Sequence, residues 1–144
     1  MVRKSKIDEI DIKILKILEK NSRIHNTQIA KLIGITEAAV RKRIEKLKKI
    51  GIIRKFTIEL DYKALDYKTV IIGLDVQKNK IFDVIKKIPK INNLKSIYIS
   101  VGDHDILLEF VYKDQNDLEK FIKIIRKIDG ITDICPAILI ERVS

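Results

Sequence analysis

The spacing of apolar residues changes part-way along this chain, and the change limits what it can fold into. From Ile7 to about residue 50, Ile, Leu and Val recur three and four positions apart, the period of a helix lying on a core. From Lys68 onward, short runs of strict alternation take over, separated by two further helical stretches. The charge changes at the same place, with residues 1–60 carrying +9 of the net +10. The chain therefore reads as an α+β protein of two modules, residues 1–60 and 68–144, joined by a short segment at 61–67. A length of 144 residues accommodates two small domains. Charge interrupts the apolar residues every few positions, which excludes a membrane-spanning segment, and the 46% hydrophobic content excludes disorder. The opening MVRKSKIDEIDIK lacks the apolar run of a signal peptide, so a cytoplasmic address is expected. Cys135 is the only cysteine, and His25 and His104 are the only imidazoles. No disulfide within the chain, no metal centre and no cofactor are expected.

In the first module, Asp8 can cap a helix whose inward face is Ile10, Ile14, Leu15 and Leu18. A second helix is predicted over residues 27–33, with Ile29, Leu32 and Ile33 turned inward. Gln28 stands three residues after His25, the reach of a capping-box partner, and Asn26 is the alternative cap. Gly34 suits a left-handed turn, and Thr36 can cap a third helix carrying Val40, Ile44 and Leu47 on one face. After Gly51, residues 52–60 alternate with Phe56, Ile58 and Leu60 on one side, which reads as a strand or small wing. The pattern is that of a winged helix-turn-helix.

Charge points to the partner. Residues 1–60 hold 16 of the 30 Lys+Arg and 7 of the 20 Asp+Glu, so they carry +9 of the net +10. The excess peaks at residues 41–49, with six cations and one anion on the third helix. A solvated basic face is the plain explanation. Against it, the helix follows a short helix and a Gly turn, and its first turn carries Glu37, Ala38 and Ala39, short enough for close approach. A helix-turn-helix puts the start of its second helix against base edges in the major groove while flanking cations hold phosphates.

The run IDEIDIKIL…SRI…IAKLIGIT…VRKRIEKLKKIGIIRKF resembles the signature of the leucine-responsive/asparagine-synthetase regulator (Lrp/AsnC) family of prokaryotic transcription regulators. The matching positions include Asp8, Asp11, Ile14, Arg23, Ala30, Gly34, Thr36, Val40, Arg43, Leu47 and Gly51; His25 stands where the family usually has a Ser-type cap. The resemblance implies that residues 36–43 contact double-stranded DNA, with Arg43 the family's recurring basic position. The expected DNA-contacting set is Gln28, Thr36, Glu37, Ala38, Ala39, Arg41, Lys42, Arg43, Lys46 and Arg54. Arg41, Lys42 and Arg43 are expected to divide the phosphate and base contacts.

In the second module, Val70, Ile72, Leu74 and Val76 alternate, as do Ile97, Ile99 and Val101, and Ile106, Leu108, Phe110 and Tyr112. Ile81, Val84, Ile85 and Ile88 make one helical face; Leu118, Phe121 (or Ile122), Ile125 and Ile128 make another. Residues 134–140 form a last strand, at a sheet edge because Pro136 donates no ladder bond. The order is the ferredoxin-like βαββαβ arrangement. Its helix-free face calls for cover by another subunit or a ligand. RNA recognition is not expected, because Leu107-Leu-Glu-Phe-Val lacks the aromatic motif it needs.

This half resembles the same family's ligand-sensing RAM domain, through its element order and the Gly102-Asp-His-Asp-Ile-Leu-Leu108 run. The resemblance implies a homodimer through the sheet, assembling to a tetramer or octamer, and an amino-acid effector near that loop. The candidate effector residues are Gly102, Asp103, His104, Asp105, Ile134 and Pro136. The loop offers backbone N–H groups for a carboxylate and two carboxylates for an α-ammonium. Asp103 and Asp105 also fit a turn cap, and less well an acid–base pair, since no nucleophile or metal set accompanies them. Cys135 reads as a small core hydrophobe. A two-fold dimer should read a pseudo-palindrome with half-sites one helical turn, or a multiple, apart. The function expected is an effector-modulated DNA-binding regulator, not an enzyme. The alternatives are a ligand-independent architectural DNA binder and, by likeness of build, a decarboxylase of tetrapyrrole synthesis, which has no need of a cationic recognition helix.

Overall fold

The computed structural model describes residues 7–144, so the first six residues of the expected N-terminal module lie outside the described ones. The chain divides into two compact units between Glu59 and Leu60.

The first unit holds α1 (Glu9–Lys20), α2 (Asn26–Ile33) and α3 (Glu37–Lys49). α1 starts at a reciprocal cap: Asp8 Oδ1 accepts from the Asp11 N–H at 2.9 Å, and Asp11 Oδ2 accepts from the Asp8 N–H at 3.2 Å. Each carboxylate thus satisfies an N–H that the helix start leaves without a partner. At α2, His25 holds the cap position, and Gln28 Oε1 accepts its N–H at 3.4 Å. Gly34 turns the chain at φ 83°, and Thr36 Oγ1 accepts from the Ala39 N–H at 3.1 Å to open α3. Ile14, Leu18, Ile29, Ala30, Val40 and Ile44 form the core of this unit. Burying each of its larger aliphatic side chains contributes on the order of 1.5–3 kcal/mol.

Two expectations for this unit are corrected. Leu32 is 68% exposed rather than inward. Ala30 shares the core with Ile29 and Ile33, which swings the buried face of α2 past Leu32, at roughly 100° of rotation per residue. The wing is not formed either: no strand lies within residues 52–60, and Phe56, Ile58 and Leu60 are all exposed. A single extended segment gains no stability without strands to pair with. The helix-turn-helix stands without the wing.

The second unit opens with a short 3-10 turn, Lys63–Leu65. Then follow β1 (Lys68–Val76), α4 (Ile81–Lys87), β2 (Leu94–Ile99), β3 (Ile106–Tyr112), α5 (Gln115–Arg126) and β4 (Ile131–Leu139). The sheet order is β2-β3-β1-β4 and every pairing is antiparallel, the ferredoxin-like arrangement read from the sequence. β4 with Pro136 lies at an edge, as its missing donor requires. One sheet face, through Val70, Ile72, Leu74, Ile106, Leu108 and Phe110, packs on Val84, Leu118, Phe121 and Ile125 of the helices. Phe121 rather than Ile122 takes the central place, stacking on Phe110 with ring centroids 4.2 Å apart. β2 stops at Ile99, which leaves Val101 fully exposed instead of on a strand face. Cys135 is exposed, not in the core. It stands opposite Gly73 in the β1–β4 register, on the face away from the helices. No described helix is long and apolar enough to cross a membrane.

Candidate nucleic-acid interface

α3 has three flanks with different surroundings. Val40, Ile44 and Leu47 face the core. Ala38, Lys42, Glu45 and Lys49, at spacings of four, three and four, are exposed on the opposite side together with Arg41. Along the outer edge, Arg41 Nη1 lies 3.6 Å from Glu37 Oε1 and Lys48 Nζ 3.3 Å from Glu45 Oε1. These are solvent-exposed pairs within one helix, worth roughly 0.3–0.5 kcal/mol each, weak enough for a phosphate to displace. Lys42 and Lys49 have no ion pair among the described residues.

The third flank carries Arg43 and Lys46, and the structure gives these two cations a different partner from the one the sequence suggested. Arg43 Nη1 donates to Asp8 Oδ1 and Oδ2 at 2.8 and 2.7 Å and lies 3.1 Å from Asp11 Oδ1. Lys46 Nζ lies 2.6 Å from Asp11 Oδ2. Asp11 is fully buried, the only charged side chain among the described residues that is. Its burial pushes the carboxyl pKa up, but hydrogen bonds from Lys46, the Asp8 N–H and Arg43 outweigh this and hold it below the usual value. The Arg43 guanidinium, helped by the Asp11 N–H, holds Asp8 at about 2. The same bonds, with Asp8 first, raise Arg43. A buried carboxylate with two cations is satisfied; with either missing, it or its partner is left as an uncompensated charge.

Of the expected DNA set, Thr36, Glu37, Ala38, Ala39, Arg41 and Lys42 come together along the first two turns of α3. Gln28 is exposed on α2, with its side chain engaged at the His25 cap, and Arg54 is exposed beyond α3. Arg43 and Lys46 stand apart from this group and tie α3 to α1 through Asp8 and Asp11. Sequence reasoning missed Asp8 and Asp11 as their partners. The signal was present in the matching three-residue spacing of the acids on one helix and the bases on the other.

The Gly102–Asp105 loop is also tied down from within. Asp105 Oδ2 accepts from the Val76 N–H at 2.8 Å, its N–H donates to the Leu74 carbonyl at 3.0 Å, and its carbonyl accepts from the Ser100 N–H at 2.9 Å. Ser100 Oγ donates to the His104 carbonyl at 2.6 Å. His104 Nδ1 lies 2.8 Å from Asp75 Oδ1, and its ring lies over Gly73, where a Cβ would collide with it. Gly102 and Asp103 remain exposed. Ile134 and Pro136 do not join this group: they stand opposite Leu74 and Ile72, on the helix side of the sheet. The β4 residues that share the face of Gly73 and Asp75 are Cys135 and Asp133. Partial loss of hydration first, then Asp133 and Asp75, push the Cys135 thiol up. Gly73, Asp75 and Ser100 went unnoticed in the sequence, because contacts between separate strands leave no local pattern.

Comparison with known proteins covers both units. The AsnC-type helix-turn-helix domain matches residues 7–48, and the Lrp/AsnC ligand binding domain matches residues 69–144. The chain is 44% identical over 140 residues to the HTH-type transcriptional regulator LrpA of Pyrococcus abyssi, a match covering 96% of this chain and 99% of that one. The crystal structure of PH0061 superimposes with a TM-score of 0.88 at 32% identity, over 96% of each chain. The transcriptional regulator NMB0573 of Neisseria meningitidis, solved as its L-Met complex, shares the fold with a TM-score of 0.80 at 21% identity, over 96% of this chain and 93% of that one.

Proposed function

The chain belongs to the Lrp/AsnC family and is a DNA-binding transcription regulator, and from that premise we propose how its parts divide the work. The outer flank of α3 enters the major groove. Thr36, Ala38 and Ala39 allow close approach at the helix start, and Arg41 and Lys42 engage phosphate and base edges. Arg54 adds a backbone contact, and Gln28 reaches the sugar–phosphate chain from α2. The observation that carries this reading is the exposed Ala38–Lys42–Lys49 flank, whose two lysines have no carboxylate partner among the described residues. Selection of binding sites from genomic DNA tests it, repeated with Arg41 and Lys42 both changed to Ala. The same sites should be recovered only with the unchanged protein.

The second unit acts as the dimerisation and effector module at residues 68–144, and assembly proceeds beyond the dimer. A dimer of this kind reads two half-sites of a pseudo-palindrome. The effector is an amino acid held near Gly102 and Asp103, whose exposed N–H and carboxylate suit its two charged ends. The L-Met complex of a protein with this fold supports testing that class first. One observation favours a second reading, a regulator that needs no effector. Asp105 and His104 already hold partners within their own unit, so only part of the loop's polar capacity is open. Calorimetry with the twenty amino acids separates the two, since an effector produces heat and its absence does not.

A further inference from the structure

We infer that Asp8 and Asp11 are positioning residues for DNA recognition, and that Arg43 is the strut through which they set the rotation of α3 rather than a reader of DNA. The inference rests on the outer flank of α3 being the DNA surface and goes beyond it by assigning the adjacent flank. Four contacts of 2.6 to 3.1 Å join the start of α1 to Arg43 and Lys46. They run between residues 32 and 35 positions apart in sequence, so they fix one helix against another rather than ordering a single turn. The same two carboxylates close the cap of α1, which leaves them little freedom to follow a moving cation.

Geometry explains why rotation matters. A helix gripped only by Val40, Ile44 and Leu47 can roll about that apolar stripe, because dispersion contacts have little directionality. Each residue advances roughly 100° around the axis, so a roll of a fraction of that moves Lys42 and Ala38 off the groove floor. Arg43 and Lys46 grip α3 one turn apart on a second flank, and two gripped flanks leave no free roll. Charge supports the assignment. Two cations set against two carboxylates bring no net positive charge to a phosphate, whereas Lys42, with no such partner, does.

A double-mutant cycle on DNA affinity, read across a salt series, tests this. The variants are Asp8→Asn, Arg43→Gln, their combination, and Lys42→Ala, each checked for folding by circular dichroism. Arg43→Gln should weaken binding about tenfold in the unchanged protein and less than about threefold in the Asp8→Asn background, since coupled residues do not add. The combination should keep the salt slope of the unchanged protein, while Lys42→Ala lowers it by about one. Equal weakening by Arg43→Gln in both backgrounds, with a slope lower by about one in the combination, would overturn the strut and make Arg43 a phosphate contact. An unaltered slope and affinity in Lys42→Ala would instead remove the outer-flank reading. If Arg43→Gln does not fold, Arg43→Lys takes its place: it keeps the charge and cannot span both carboxylates, so binding should weaken at constant slope, and binding as tight as the unchanged protein overturns the proposal.

Discussion

Asp11 Oδ2 lies 2.6 Å from Lys46 Nζ, joining the first turn of α1 to the last turn of α3. The bond puts a fully buried carboxylate under α3, the helix proposed to face DNA, so on that reading the stability of the first unit and the aim of its recognition surface share one set of atoms. Replacing Asp11 by Asn removes the anion, leaving Arg43 with Asp8 alone and Lys46 with no carboxylate partner among the described residues. Urea unfolding of this variant should show the first unit weakened by roughly 2 kcal/mol, the usual worth of a hydrogen bond to a charged group.

Acid should release the same network. Asp8 is held at about 2, below its ordinary 3.8, and Asp11 is lowered as well. A carboxyl whose pKa falls on folding binds fewer protons folded than unfolded, so its contribution is complete above the unfolded pKa and disappears as pH falls through the folded one. Helical signal from the first unit should therefore weaken between about pH 4 and pH 2, and Asp8→Asn should flatten that part of the titration. An Asp8→Asn profile superimposable on that of the unchanged protein would show that the Asp8–Arg43 contact contributes nothing in solution.

Gly73→Ala should affect only the second unit. The added Cβ meets the His104 ring and forces it away from Asp75. Overpacking of this kind costs typically about 1–3 kcal/mol, and here the loop bears it. The variant should bind DNA like the unchanged protein and, if the loop holds the amino-acid effector as proposed, lose the heat of its binding. Unchanged effector heat would place the ligand away from His104.

Much of the fold is legible in residue order. Gly34 and Thr36 mark the turn and cap of α3 because few residues accept a left-handed backbone or free helix N–H groups. Pro136 puts β4 at the edge because it cannot donate to a ladder. Arg43 and Lys46 are harder: a cation on a helix looks the same in sequence whether it meets water, phosphate or a carboxylate on another helix. Leu32 misleads because spacing gives the period of a helix but not which phase meets the core. Cys135 misleads for the corresponding reason on a strand, where one step in register exchanges the two faces. The missing strand at residues 52–60 shows that alternation alone does not supply a neighbour.

Thr36→Ala offers a simple check on the start of the recognition helix. Removing the Oγ1 acceptor for the Ala39 N–H should cost about 1 kcal/mol of stability in the first unit. If the helix start also approaches DNA, affinity should fall further than that change in stability explains. Comparing melting with binding at a temperature where the variant is fully folded separates the two effects.

DNA recognition as proposed for this protein rests on the outer flank of α3. Its most direct test is the salt dependence of duplex DNA binding by the variant with Arg41 and Lys42 both changed to Ala. Removing one phosphate-binding cation lowers the slope of log affinity against log salt by about one, so the double change should lower it by about one to two, according to how the pair divides phosphate and base contacts, and weaken binding at every salt concentration. The same slope and affinity as the unchanged protein would contradict the placement of this flank on DNA.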